Sequence, residues 1–202
     1  YGALSELNQQ ESKIITVEDP VEYRIGRINQ VQINNKIGLS FASILRTALR
    51  QDPDIIMVGE MRDQETVDIG LRAALTGHLV LSTLHTNDAI TSAMRLIDMG
   101  APAYLVASSL RAIIAQRLVR RVCNDCRVPY LPDRQELSWL KYLGEEITDA
   151  QFSKGQGCTA CNHSGYKGRV GIFELLEMDD AMMDALRVND TQGFAKAAKN
   201  SA

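Results

Sequence analysis

The stretch Asp52-Pro-Asp-Ile-Ile-Met-Val-Gly-Glu-Met-Arg-Asp63 sets a short apolar run between acids and ends it on a carboxylate. A continuous run of this kind reads as a buried strand that delivers Glu60 to its carboxyl end. A carboxylate so placed can orient a water beside a nucleoside triphosphate or hold Mg²⁺ through its hydration shell. The same residues also fit a plain core strand whose Gly59-Glu60-Met61 merely turns into solvent. The neighbouring elements weigh against that plainer reading.

Working outward, strands and helices alternate as far as about Val122. Residues 14–18 read as an apolar strand, and 25–33 as a mixed, exposed extended stretch ending at the Asn34-Asn35 turn signal. Ser40 caps a helix that Pro53 stops, with Ile44, Leu45, Ala48 and Leu49 on one face. Residues 65–76 are helical and close at Gly77, 79–83 form the next strand, and 88–99 form a helix ended by Gly100. A further helix is expected over 103–118, carrying Leu110, Ile113, Ile114 and Arg117. Strands separated by helices imply parallel crossovers, hence an α/β layer with its chemistry at the carboxyl ends of the strands.

Three such ends carry reactive residue types: Glu18-Asp-Pro-Val-Glu22, Gly59-Glu-Met-Arg-Asp63 and Ser82-Thr-Leu-His-Thr-Asn87. If adjacent parallel strands bring them to one edge, carboxylates, hydroxyls and an imidazole gather there. That set suits Mg²⁺-assisted phosphoryl transfer, with carboxylates positioning water and metal and His85 able to hydrogen-bond a γ-phosphate.

Composition is that of an ordinary globular protein: 202 residues, 45% hydrophobic and 23% charged. A net charge of −3 gives no basic field for nucleic acid. No apolar run approaches the roughly 18 residues of a membrane span, and no signal-peptide pattern opens the chain, so a cytoplasmic location is expected. Tyr1-Gly-Ala-Leu-Ser-Glu-Leu7 has helical spacing from its first residue, with neither an initiator Met nor a cap, as in a piece of something larger.

Four cysteines form a second signal. Cys123-Asn-Asp-Cys126 and Cys158-Thr-Ala-Cys161 are two CxxC knuckles whose four thiolates suit a closed, structural, tetrahedral Zn²⁺ site. The 31 residues between them leave room for a helix over 134–143 that contains Trp139. His163 is a spare nearby candidate. Gly165, Gly168 and Gly171 with Tyr166 and Lys167 read as a tight turn before a strand over 170–176 that rebuilds the sheet. A short helix over 181–187 follows, with Met182, Met183 and Leu186 facing a core or ring contact, and then a polar, alanine-rich tail over 189–202, expected to fray.

Ile15-Thr-Val-Glu-Asp-Pro-Val-Glu-Tyr23, Arg50-Gln-Asp-Pro-Asp-Ile-Ile-Met-Val-Gly-Glu-Met-Arg-Asp63 and Thr76-Gly-His-Leu-Val-Leu-Ser-Thr-Leu-His-Thr-Asn87 resemble, in order, the aspartate box, Walker B region and histidine box of type II secretion and type IV pilus assembly ATPases. With the cysteine segment, the resemblance covers residues 14–176. It implies a RecA-like P-loop NTPase core over 1–122, a tetracysteine zinc subdomain over 123–168 and C-terminal strand and helices over 169–202. It further implies a homo-hexameric motor that hydrolyses ATP with Mg²⁺, lies peripheral to the inner membrane and works on a membrane platform protein. Carried over by motif, Glu60 polarises water, Glu18 and Asp19 support metal and water, and His85 senses the γ-phosphate. Glu22, Arg46, Arg50, Arg62 and His78 sit in or beside the boxes as nucleotide or subunit-contact candidates.

The cysteine element is similar to that of assembly rather than retraction motors, and Arg117-Leu-Val-Arg-Arg-Val-Cys-Asn-Asp-Cys126 leans toward a pilus-extension member of the mannose-sensitive haemagglutinin type. One family feature is missing: no Gly-x4-Gly-Lys-Ser/Thr loop occurs in these residues. Residues 1–8 resemble the helix that follows that loop, so the chain is expected to start just after it and, alone, to bind and hydrolyse ATP poorly. A ring subunit that has lost catalysis is the alternative. A zinc-ribbon module for nucleic acid or protein is another, suggested by Arg117, Arg120, Arg121 and Arg127 around the knuckles; near-neutral charge and few interleaved aromatics count against nucleic acid.

Overall fold

The computed structural model describes residues 1–142 and 151–201, which fall into two compact units, Tyr1–Ala115 with Glu174–Ala202 and Gln116–Phe173. In the first unit, strands β1 (Ile14–Glu18), β2 (Asn29–Gln32), β3 (Ile55–Val58) and β4 (Leu79–Ser82) form one parallel sheet in the order β2-β1-β3-β4. β1, β3 and β4 are short and mostly apolar, as strands covered by crossover helices should be, whereas β2 is mostly polar. The central β1 is buried at all five positions, whereas the edge strands β2 and β4 are half-exposed.

The register divides the side chains between two faces. Val17 pairs with Val58 and Ile15 with Ile56, and Val17, Ile56 and Val58 pack on Phe41, Ile44 and Leu45 of α2 (Phe41–Ala48). On the opposite face Ile14 pairs with Ile55, and both pack on Leu4 of α1 (Gly2–Leu7) and on Ile28. Because strand side chains alternate, Thr16 and Glu18 share that second face with Ile14.

Helices α3 (Gln64–Leu75), α4 (Ala89–Asp98), α5 (Ala103–Ser109), α7 (Asp180–Arg187) and α8 (Thr191–Ser201) build a further core around Val67, Leu71, Ala93, Leu105, Met182 and Phe194. Helix α6 (Arg134–Tyr142) belongs to the second unit. Side-chain caps fix where the loops behind the strands must end. Ser40 Oγ accepts from Ser43 N at 3.2 Å, Asp63 Oδ1 from Thr66 N at 2.8 Å and Asp88 Oδ1 from Thr91 N at 2.7 Å. The loops 59–62 and 83–87 are thereby pinned between a strand and a capped helix. Among the described residues no helix is long and apolar enough to cross a membrane.

Three expectations need correction. The helix expected over 103–118 ends at Ser109, and β5 (Ala112–Val122) takes over, its exposure alternating along its first residues. Ile113, Ile114, Val119 and Val122 are β-branched, and pairing with β8 (Tyr166–Glu177) outweighs the helical spacing that the apolar run imitates. Strand β8 also begins earlier than residue 170, at Tyr166, and with β5 it makes a separate two-stranded ribbon instead of rebuilding the four-stranded sheet. The tail is α8, not frayed: Phe194 and Ala198, four apart, bury one face in the core.

The second unit holds the two knuckles. Strands β6 (Arg127–Pro129) and β7 (Ser153–Gly155) pair antiparallel, Arg127 opposite Gly155, so the residue after Cys126 is tied to the approach to Cys158. Helix α6 (Arg134–Tyr142) occupies the expected place and leaves Trp139 69% exposed; Leu143 lies outside the described residues. Gly155 and Gly165 meet backbone to backbone. A Cβ on Gly155 would fall 2.0 Å from Gly165 O, and Gly165 itself has φ +75°, so both positions require glycine.

Candidate functional site

Parallel pairing of β1 with β3 and of β3 with β4 sets the three boxes side by side at the carboxyl ends of adjacent strands. Backbone bonds hold them there: Gly59 N donates to Val17 O at 2.7 Å and Met61 N to Thr83 O at 3.2 Å, and Thr83 Oγ1 donates to Gly59 O at 2.6 Å. A Cβ on Gly59 would stand 3.2 Å from Val17 O and 3.3 Å from Glu18 Cα, so a side chain there would crowd the aspartate box off β3.

Glu60 is buried and held on both oxygens. Arg62 Nη2 forms an ion pair with its Oε1, and His85 Nε2 lies 3.0 Å from its Oε2. The same Arg62 reaches Asp19 Oδ2 through Nη1 at 3.2 Å. One guanidinium thus bridges two boxes, while His85 brings in the third. The hydrogen bond from Arg62, partly opposed by burial, holds the Glu60 carboxyl below the ordinary carboxylate range, and Glu60 in turn raises Arg62.

A group depressed in this way adds stability above its unfolded pKa and loses it as pH falls through the lower folded value. Replacing Arg62 by Gln is therefore expected to raise the Glu60 titration midpoint and to narrow that acidic window, since burial remains while the main lowering partner is gone. Carboxyl-carbon NMR of Glu60 reads the midpoint directly, and an unmoved midpoint would remove Arg62 as the cause.

Glu18 has different company. It is only 3% exposed, and its carboxylate receives Thr16 Oγ1 and Gln30 Nε2 (3.1 Å) on Oε1 and the Tyr1 hydroxyl on Oε2. The register explains the geometry: Thr16 precedes Glu18 by two on the same face, and Gln30 is the residue opposite Thr16 on β2. All three donors are neutral. With Glu18, Asp19 and Glu60 formally charged, one guanidinium against three carboxylates leaves two negative charges among oxygen donors, which fits a hard divalent cation such as Mg²⁺.

The other candidates fall elsewhere. Glu22 is exposed in the loop after β1 and donates its backbone N–H to Tyr1 Oη at 3.1 Å. Arg46 on α2 pairs with Glu65 at the start of α3. Arg50 and His78 lie before β3 and β4, at the opposite end of the sheet from Glu60. His78 Nδ1 lies 3.0 Å from Ala73 O at the end of α3. Sequence reasoning missed Tyr1, Thr16 and Gln30. Thr16 was detectable as a polar residue inside an apolar strand, but Gln30 needed the parallel β1–β2 pairing, which no local pattern announces.

In the second unit the four cysteine sulfurs lie within 4.8 Å of one another. Sγ–Sγ separations of 4.0 Å for Cys123–Cys158, 3.9 Å for Cys126–Cys161 and 3.8 Å for Cys158–Cys161 match the edge of about 3.8 Å that a Zn–S bond of about 2.3 Å gives a tetrahedron. Gly157 N donates to Cys126 Sγ at 3.3 Å and Cys158 N to Cys161 Sγ at 3.2 Å, as thiolates require. The Cys158 N–H pulls Cys161 down to about 6, whereas burial pushes Cys126 up to about 11. Four crowded thiols cannot all ionise without a cation, so the donor set fits Zn²⁺. His163, two residues after the second knuckle, has φ +59° and is not a member of this cluster.

The sequence matches the family described as "Type II/IV secretion system protein" over residues 1–202. It is 50% identical over 188 residues to type II secretion system protein E of Aeromonas hydrophila, covering 92% of this chain and 37% of that protein. It is also 50% identical over 185 residues to the type IV pilus assembly ATPase PilB of Myxococcus xanthus, covering 91% and 33%. Among solved structures, the pilus retraction motor PilT with bound ADP superposes with a TM-score of 0.69 at 32% identity, over 98% of this chain and 48% of that one. The Legionella pneumophila ATPase DotB gives 0.62 at 27% identity, over 96% and 45%. The chain thus spans about a third of the length of these sequence relatives and about half of the solved chains. With the match running along all 202 residues and the three boxes set on adjacent strands of a shared α/β fold, the chain belongs to the type II/IV secretion system protein family.

Proposed function

We propose that the protein containing this chain is a hexameric motor ATPase that hydrolyses ATP to power type II secretion or type IV pilus assembly, working against a membrane platform protein. The observation that carries the reading is Glu60: a buried carboxylate at a strand end, bonded to Arg62 and His85 and flanked by the aspartate box. Names of relatives support it, since secretion and pilus-assembly ATPases match at about half identity over nine-tenths of the chain.

In this reading Glu60 accepts a hydrogen bond from the attacking water and orients it in line with the γ-phosphate. Arg62 is 55% exposed at its side chain against 12% for Glu60, so a phosphate can draw its guanidinium away from Glu60 and Asp19 and leave Oε1 for the water. His85, 88% exposed at its side chain, stays hydrogen-bonded to Oε2 and faces the solvent side from which nucleotide arrives. Glu18 and Asp19 would hold Mg²⁺, which would supply positive charge to offset that of the phosphates. The tetracysteine unit would be held by structural Zn²⁺ with no open position for chemistry.

The test is turnover by the whole protein. Hydrolysis of ATP is expected to need Mg²⁺ and to fall to background when the cation is chelated, with the active species at the mass of a hexamer. Absence of hydrolysis, or hydrolysis indifferent to chelation, would contradict the reading.

A further inference from the structure

We propose that Tyr1 is a positioning residue for the hydrolysis site, its hydroxyl fixing the direction of the Glu18 carboxylate against the loop that follows β1; this rests on the motor-ATPase reading above. The Tyr1 hydroxyl is shared between two residues of the aspartate box. It donates to Glu18 Oε2 and accepts from Glu22 N at 3.1 Å. The ring meets Tyr23 edge-on, with centroids 4.5 Å apart and planes at 83°. One side chain at the start of α1 therefore touches Glu18, Glu22 and Tyr23, three residues of the aspartate box.

The geometry makes the hydroxyl decisive. The terminal torsion of a glutamate is broad, so the plane of its carboxylate is set by its hydrogen bonds and not by a rotamer well. Thr16 and Gln30 hold only Oε1. Among the described residues Tyr1 alone donates to Oε2, and without it the plane can turn about the held oxygen. Burial sharpens the effect: Glu18 is 3% exposed, so water cannot readily replace the lost donor. Donors and acceptors balance in the native arrangement, since the hydroxyl proton goes to Glu18 while the oxygen lone pair takes the Glu22 N–H.

Tyr1→Phe in the whole protein removes both hydrogen bonds and keeps the ring on Tyr23. The expected result is a fall in kcat of about tenfold, the size of one hydrogen bond to a buried charge, with KM for ATP and affinity for a non-hydrolysable ATP analogue changed by less than about twofold. The thermal unfolding midpoint should fall by no more than about 5 °C, since one buried acceptor loses a donor while ring packing is retained. Gln30→Met, which strips a donor from the other oxygen, should give the same split between kcat and KM. A kcat within about twofold of wild type for Tyr1→Phe overturns the inference, as does a loss of kcat accompanied by an equal loss of analogue binding or by an unfolding midpoint lowered by more than about 5 °C. If Glu60→Gln abolishes turnover while Tyr1→Phe leaves it intact, this inference alone fails; if Glu60→Gln is also fully active, the underlying reading fails with it.

Discussion

On the proposed zinc site, Cys126→Ser in the whole protein is expected to lower bound zinc from one equivalent per chain to less than about a tenth, and to unfold the unit that the metal would hold. The expectation follows from how little else stabilises that unit. Among its described residues Cys123 and Cys161 are the only buried apolar side chains, while Leu131 is 91% exposed, Trp139 69% and Tyr142 89%. Structural zinc contributes roughly 10 kcal/mol or more of apparent folding free energy in small sites, far beyond what three-residue strands such as β6 and β7 can supply. Serine keeps the volume but not the thiolate. Metal analysis of protein purified without chelator, with limited proteolysis between residues 116 and 173, reads both effects. Full zinc occupancy in the variant would contradict a four-cysteine site.

Much of this architecture could be read before any coordinates, for a physical reason. The strand at 14–18 and the capped helices behind Ser40, Asp63 and Asp88 are local events, governed by apolar runs and by side chains that cap the next turn. The knuckles were equally legible, because CxxC spacing is itself the ligand geometry. What escaped was set by partners distant in sequence. Residues 112–118 satisfy helical spacing and become strand only because β8, some fifty residues later, pairs with them. The burial of Phe194 likewise needs the helical cluster in which it packs. At the site, Glu18, Asp19, Glu60 and His85 were accessible as strand-end residues, whereas the bridging role of Arg62 and the neutral cradle of Tyr1, Thr16 and Gln30 arise from register across three strands. His78 and Arg50 illustrate the converse: though close to a motif in sequence, they lie at the end of the sheet opposite Glu60.

Glu60→Gln is expected to reduce ATP turnover by the whole protein by about 10²- to 10³-fold, the range over which a positioned general base contributes. The substitution keeps length and shape and removes one charge. In place of two acceptor oxygens it presents one oxygen and one NH₂ group, so either Arg62 Nη2 or His85 Nε2 loses its acceptor. Asp19 keeps its 3.2 Å contact with Arg62, and the Glu18 cradle is untouched, so the rest of the acidic edge should persist. Nucleotide affinity depends mainly on groups that contact the phosphates and should survive, giving a loss confined to kcat.

The most direct test is a paired measurement on the whole protein and its Glu60→Gln variant: affinity for ATP in Mg²⁺ under conditions too brief for hydrolysis, and steady-state phosphate release. Affinity within about threefold of wild type together with turnover reduced at least about 100-fold is the expected result. Equal phosphate release from the two proteins would contradict the assignment of Glu60, and with it the reading of this strand edge as a site of ATP hydrolysis.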